Sequence, residues 1–144
     1  MKAKLTKTTE IATDTKEFVF ESELIKFSPG QWVMVEIELK HQDKRNKRVF
    51  SVVNSPTEKG KVVICTRISD SGYKQTLNEL GIGDQVEIGR VGGEFLLPDG
   101  DCPVVMISGG IGITPFISML RYMRDMKINR KTLLLYGNRN RAST

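Results

Sequence analysis

The stretch Pro103-Val104-Val105-Met106-Ile107-Ser108-Gly109-Gly110-Ile111-Gly112-Ile113-Thr114-Pro115 decides how the chain is organised. It opens as a short apolar run without alternation, the pattern of a strand covered on both faces. Three glycines then interrupt it. From Thr114 to Lys127 the apolar residues Phe116, Ile117, Leu120, Tyr122 and Met123 fall at helical spacing. Read without its breakers, the charge-free segment from Cys102 to Leu120 is long enough for a membrane helix. Pro103, Gly109, Gly110, Gly112 and Pro115 split it instead into strand, turn and helix. Thr132 to Tyr136 reads as a second buried strand and completes one β-α-β unit. The chain ends soon after, at Arg141-Ala142-Ser143-Thr144, so the sequence is expected to be cut inside this second domain. Val104, Val105, Ile107, Leu133, Leu134 and Leu135 would then be partly uncovered, and self-association through them is expected.

Upstream of Pro98-Asp99-Gly100-Asp101 the pattern is that of strands. Lys4 to Ile11 and Glu17 to Glu23 flank a Thr13-Asp14-Thr15 turn. Val33, Val35, Ile37 and Leu39 alternate with polar or intermediate neighbours. Arg48 to Val53, Lys61 to Ile68, Gln85 to Gly89 and Glu94 to Leu97 complete the set, with one helix from about Lys74 to Leu80 capped by Gly81. Several short strands joined by turns predict a small antiparallel barrel. The fold class expected is therefore mainly β with partial α/β: an antiparallel barrel over residues 1–99, then the first β-α-β unit of an α/β domain over 100–144.

Composition narrows the chemistry. The chain has 144 residues, 39% of them hydrophobic and 27% charged, the balance of a globular protein. Two cysteines, Cys65 and Cys102, exclude a disulfide framework and a cysteine-held iron–sulfur cluster, and no metal site is predicted. They suit a reducing, cytoplasmic setting, and MKAKLTKTTE lacks the apolar core of a signal peptide. One histidine, His41, makes a Ser-His-Asp triad unattractive; in its polar loop it reads as solvated. Trp32 reads as barrel packing. The formal charge of +5 suits a phosphate ligand or an acidic partner. Lys44-Arg45-Asn46-Lys47-Arg48 could serve nucleic acid, but reads better as a charged loop entering a strand, and no nucleic-acid partner is expected.

Three constellations carry chemistry. In Gly109-Gly110-x-Gly112-x-Thr114-Pro115, glycines permit a sharp turn and a close ligand approach, and the following helix offers N–H groups and a positive dipole end to an anion. It is neither the G-x-G-x-x-G fingerprint nor a P-loop, and a ligand-free strand-to-helix turn is the alternative. In Arg48-Val49-Phe50-Ser51, Arg48 and Phe50 share one strand face and could take a flat aromatic ligand and its phosphate; an ordinary exposed strand is the alternative. In Arg67 to Thr76 a strand ends, Gly72 turns the chain and a helix begins, where Lys74 and the first N–H groups could hold a diphosphate; a capped surface helix is the alternative.

Pro29-Gly30-Gln31, Arg48-x-Phe50-Ser51, Gly72-Tyr73-Lys74, Phe95-x-Leu97-Pro98 and Gly109-Gly110-x-Gly112-x-Thr114-Pro115, in that order, resemble the ferredoxin–NADP reductase family. The resemblance implies a FAD-binding barrel of Greek-key connectivity followed by an incomplete NAD(P)-binding domain. It also implies a FAD-dependent NAD(P)H oxidoreductase that passes hydride between the nicotinamide and flavin N5, and electrons to a separate acceptor. By resemblance Arg48 meets the flavin diphosphate, Phe50 stacks on the isoalloxazine, and Ser51, with Val49 beside it, touches the ring edge in the catalytic position. Cys65, Thr66, Arg67, Gly72, Tyr73 and Lys74 hold the rest of the flavin. Gly109, Gly110 and Gly112 meet the nicotinamide pyrophosphate, with Thr114 directed to the flavin. Arg139, with Arg141, lies where the adenosine end of the nucleotide is expected and favours NADPH over NADH. The partner implied is a redox protein, ferredoxin- or flavodoxin-like or carrying an iron–sulfur centre. Phe50 departs from the family's tyrosine, and Arg90-Val91-Gly92-Gly93 from its proline-containing turn. A flavin-binding electron-transfer module without turnover of its own remains the alternative.

Overall fold

The computed structural model describes residues 1–23 and 25–138. Alternating apolar residues produce strands β1 (Lys2–Ala12), β2 (Thr15–Glu21), β3 (Trp32–Glu36), β4 (Lys47–Ser51), β5 (Lys61–Arg67) and β6 (Gln85–Gly92), with the helix α1 (Gly72–Asn78) between β5 and β6. They form a six-stranded sheet in the order β4-β3-β6-β1-β2-β5, every pairing antiparallel. Since β6 enters between β3 and β1, the chain is not a simple meander. Its two edges are drawn together by a Val52–Ile64 bridge and the Val53 N–H bond to the Val63 carbonyl (2.9 Å), which closes the sheet into a barrel.

Inside lie Leu5, Phe18, Phe20, Val33, Val35, Val62, Ile64 and Ile88, one from each inward position of the alternation. The short helix α1 fills what the strands leave open: Tyr73 and Leu77 are fully buried in the same cluster, and the Tyr73 hydroxyl donates to the Val35 carbonyl at 2.9 Å. Ser71 caps the helix through Lys74 N–H.

Beyond the barrel, β7 (Val104–Gly109) runs parallel to β8 (Thr132–Gly137), joined by a 3-10 turn over Gly110–Ile113 and the helix α2 (Thr114–Asp125). Met106, Met119 and Met123 are buried where α2 covers one face of the pair. The other face carries Val105 (58% exposed), Ile107 (70%), Leu133 (53%) and Leu135 (49%), so the expectation of strands covered on both faces is corrected to strands covered on one. Val104 and Leu134 are half-buried.

The barrel and α2 are fastened together. Ser118 Oγ donates to the Asn54 carbonyl at 2.7 Å, Thr57 Oγ1 donates to Asp125 Oδ2 at 2.6 Å, and Phe95 meets Phe116 edge-on with ring centroids 5.3 Å apart. Gly30 has φ +96°, and a Cβ there would lie 2.1 Å from the Phe95 carbonyl oxygen and 2.5 Å from Met119 Cε, so only glycine fits this junction. Arg130 clamps the intervening loop by donating to the carbonyls of Pro98 (2.6 Å) and Cys102 (2.5 Å).

Other expectations need correction. Glu94 to Leu97 is not a strand: β6 runs on to Gly92, Gly93 turns at φ +106°, and Trp32 lies against both glycines, which ends the ladder. Strand β3 stops at Glu36 although the alternation continues to Leu39, because the chain leaves the sheet to cross α1. Glu79, not Gly81, forms the C-cap of α1, and the left-handed residue in the turn that follows is Gly83 (φ +104°). No helix of the described residues is long and apolar enough to cross a membrane.

Candidate functional site

Strand alternation divides the predicted residues between two surfaces. Arg48 and Phe50 point towards α1, whereas Val49 (57% exposed) and the half-buried Ser51 face outward. On β5, Thr66 points inward, and Cys65 and Arg67 outward.

The inward group gathers where α1 meets β4 and β5. The Phe50 and Tyr73 rings stack with centroids 6.1 Å apart. Arg48 Cζ lies 5.2 Å above the Tyr73 ring, and Lys74 Nζ lies 5.1 Å above the Phe50 ring while hydrogen-bonding Thr66 Oγ1. Phe50 is thus mostly enclosed by side chains of the protein itself. Asp43, from the loop between β3 and β4, completes the cluster. Its Oδ2 accepts from Tyr73 N–H at 2.9 Å, and its Oδ1 accepts from Arg48 Nη2 at 2.7 Å and from Arg45 N–H at 3.2 Å. These backbone donors, Tyr73 first, and then Arg48 hold the Asp43 carboxyl down at about 2. The α1 amide of Tyr73, one of those expected to face a diphosphate, is therefore occupied by Asp43. Sequence reasoning missed Asp43, which no local pattern distinguishes from the charged loop around it.

Charge in this cluster is unbalanced. Burial, and after it the nearby Arg48 guanidinium, bring Lys74 down to about 8. Two cations face one carboxylate, and a phosphate-bearing ligand fits that shortage of negative charge. Burial also raises the Tyr73 phenol.

The outward group lies along the junction with α2. Cys65 is packed with Val53 and Val63 against Ile117, and its thiol is pushed up to about 12 by burial, with Glu17 adding to the effect. Its side chain is spent on packing. Arg67, grouped with the flavin residues in the sequence, lines a cavity of about 520 Å³ with Gly109, Gly110, Ile111, Gly137 and Asn138. Gly110 adopts φ +51° with nothing within 4 Å of where a Cβ would be, so the backbone is open on that side. The helix α2 has no side-chain cap and continues from the 3-10 turn, with the Thr114 N–H donating to the Ile111 carbonyl and Pro115 having none to give. Gly112 is less constrained: a Cβ would rest 3.6 Å from Ser108 Oγ. Thr114 is buried, and its hydroxyl turns back to the Ile111 carbonyl at 3.1 Å. Arg139 and Arg141 lie outside the described residues. His41, expected to be solvated, is 39% exposed with Nε2 2.7 Å from Glu79 Oε1.

Asp43 and Arg48 of the inward cluster also line a cavity of about 690 Å³ beside β3 and β4, with Met34, Leu39 and Val49 as its apolar wall and Lys44, Arg45, Asn46 and Lys47 around them. No group of three or more His, Cys, Asp and Glu side chains suited to a metal occurs among the described residues.

Residues 2–95 match the model of the oxidoreductase FAD-binding domain. The chain belongs to that family. Residues 106–144 match the model of the oxidoreductase NAD-binding domain. Among curated relatives, the reductase component 1 of terephthalate 1,2-dioxygenase from Comamonas is 31% identical over 117 residues, which are 80% of this chain and 33% of that protein. The flavohemoprotein of Rhizobium meliloti is 29% identical over 123 residues, 81% of this chain and 30% of that protein. Among solved structures, phthalate dioxygenase reductase, described as modular for electron transfer from pyridine nucleotides to 2Fe-2S, superposes with a TM-score of 0.87 at 26% identity, over 100% of this chain and 45% of that one. The chain thus spans about a third of the curated relatives' length, and shares with this oxidoreductase family a barrel followed by a β-α-β unit.

Proposed function

We propose that this chain forms the flavin site and the first part of the nicotinamide site of an NAD(P)H-dependent reductase that hands electrons to a separate redox protein. The observation that carries the reading is the Arg48–Lys74 pair, two cations brought onto adjoining aromatic rings by β4 and α1 within the FAD-binding domain. When bound, the flavin supplies the redox chemistry, taking electrons from the nicotinamide and releasing them to the acceptor.

The protein's own part is binding and orientation. Arg48 and Lys74 receive the flavin phosphates, with Thr66 steering the Lys74 ammonium. Phe50 is enclosed between Tyr73 and Lys74, so a flat ligand meets it at an edge unless Lys74 moves aside. The flavin ring then belongs on the outward side of β4, beside Ser51 and Val49. The nicotinamide pyrophosphate falls to the Gly109–Gly110–Ile111 backbone of the turn before α2, with Arg67 as its counter-charge across the junction. This moves Arg67 from the flavin to the nicotinamide nucleotide. Ser118–Asn54 and Thr57–Asp125 keep the two sites in register. The cavity that Val49 shares with Arg48 and Asp43 is open space beside β4 for the flavin. The division into residues 1–99 and 100–144 follows the same reading.

Titrating the purified chain with FAD, read by flavin fluorescence, tests it. Arg48→Ala removes a charge-assisted contact of about 1.5–3 kcal/mol, so FAD affinity should fall about tenfold or more. Unaltered affinity in that variant would remove Arg48 from the site.

A further inference from the structure

We propose that Asp43 is the positioning residue for Arg48, fixing its guanidinium before a flavin phosphate arrives. This rests on the reading of Arg48 just given and adds a residue that no motif marks.

The geometry is that of a strap. After β3 the chain leaves the sheet and crosses α1. The Lys40 and His41 N–H groups donate to Thr76 Oγ1 at 3.0 and 3.3 Å, and the His41 ring reaches Glu79 at the far end of the helix. At the near end the strap's backbone presses on Gly72, where a Cβ would lie 2.3 Å from the Gln42 carbonyl oxygen. Asp43 follows immediately, with its side chain only 7% exposed and both carboxylate oxygens used. It cannot swing out without lifting the strap from α1.

Arg48 is held by this same segment. Its Nη2 donates to Asp43, and its Nη1 to the carbonyls of Arg45 (3.4 Å) and Lys47 (3.2 Å). A guanidinium has five N–H donors in a rigid fork, so the Nε edge is left for a ligand on a side chain still 31% exposed. An unrestrained arginine loses much rotamer freedom on binding, and restraining it beforehand removes that cost from the association.

The opposite role, a carboxylate occupying the phosphate's own place, predicts the opposite sign, which makes the proposal testable. FAD, FMN and riboflavin are titrated into the apoprotein and its Asp43→Asn and Asp43→Ser variants. Serine retains an oxygen able to cap the Tyr73 amide. Affinity for FAD and FMN is expected to fall about tenfold, with riboflavin, which lacks a phosphate, unaffected. In an Arg48→Ala background, Asp43→Asn should weaken FAD no further. Tighter FAD binding in either variant, or equal losses for FAD and riboflavin, would overturn the proposal. Failure of Arg48→Ala to affect FAD would instead sink the underlying reading. Should Asp43→Asn not fold, Asp43→Ser and the Arg48→Ala comparison between FAD and riboflavin still decide the matter.

Discussion

Substituting Gly72 by alanine separates local helix preference from the packing of the strap. Within a helix, alanine is favoured over glycine by about 1 kcal/mol, less at the first position. Propensity alone therefore makes Gly72→Ala neutral or mildly stabilising. The structure reverses the sign. The new Cβ would lie 2.3 Å from the Gln42 oxygen, 2.7 Å from the Gln42 carbon and 2.9 Å from the His41 oxygen. All three are backbone atoms, so no side chain can rotate away. Ordinary contact begins at 3.4 Å, so the strap must retreat by about 1 Å, which lengthens the Asp43 bonds to Tyr73 and Arg48. Overpacking of this kind costs about 1–3 kcal/mol, leaving a net loss of about 0.5–2.5 kcal/mol once a first-position propensity gain of about 0.5 kcal/mol is subtracted. Urea unfolding followed by far-ultraviolet circular dichroism measures it. Gly81→Ala is the control, because its Cβ meets only Asp84 Oδ2 at 3.8 Å and it should be tolerated. A Gly72→Ala protein as stable as the parent would refute the close approach of strap and helix.

Two further outcomes are expected. The Lys74 ammonium has a folded value of about 8 against 10.5 ordinarily, so between these values the unfolded chain holds more protons and stability should rise with pH. Lys74→Met should flatten that rise in urea titrations across this range, and FAD affinity should fall as pH passes 8 in the parent. Gly112→Val places branched methyls against Ser108 Oγ, 3.6 Å from the Cβ position, at the turn that opens α2. Calorimetry should show weaker NADPH binding with FAD affinity retained, and loss of FAD alone would mean that the wrong nucleotide has been assigned to this loop.

Local pattern carried the reading where each element buries one side. The glycine break between β7 and α2 and the alternation of β3 were legible because periodicity and breakers coincide there, and β5 was legible from its run of Val and Ile. Elsewhere a distant contact overrode the pattern. Phe95, Leu96 and Leu97 look like a strand, yet Trp32 against Gly92 and Gly93 stops the ladder before them. Leu39 extends the β3 alternation, yet the backbone after Ile37 is committed to Thr76. The site divides in the same way. Arg48, Phe50, Thr66, Tyr73 and Lys74 are brought together, as their motifs suggested. Cys65 packs its side chain against Ile117, Arg67 sits at the glycine loop, and Asp43 entered only through an amide 30 residues away.

The two cysteines lie in opposite chemical circumstances. Cys65 is sealed between barrel and helix with its thiol held protonated, whereas Cys102 is exposed on the loop that Arg130 clamps. Thiolate is the reacting form, so a maleimide dye should enter at Cys102 alone. The unaltered sequence therefore offers a single attachment point on the connection between the barrel and the β-α-β unit. A fluorophore or spin label there could follow their relative motion without the removal of a competing thiol.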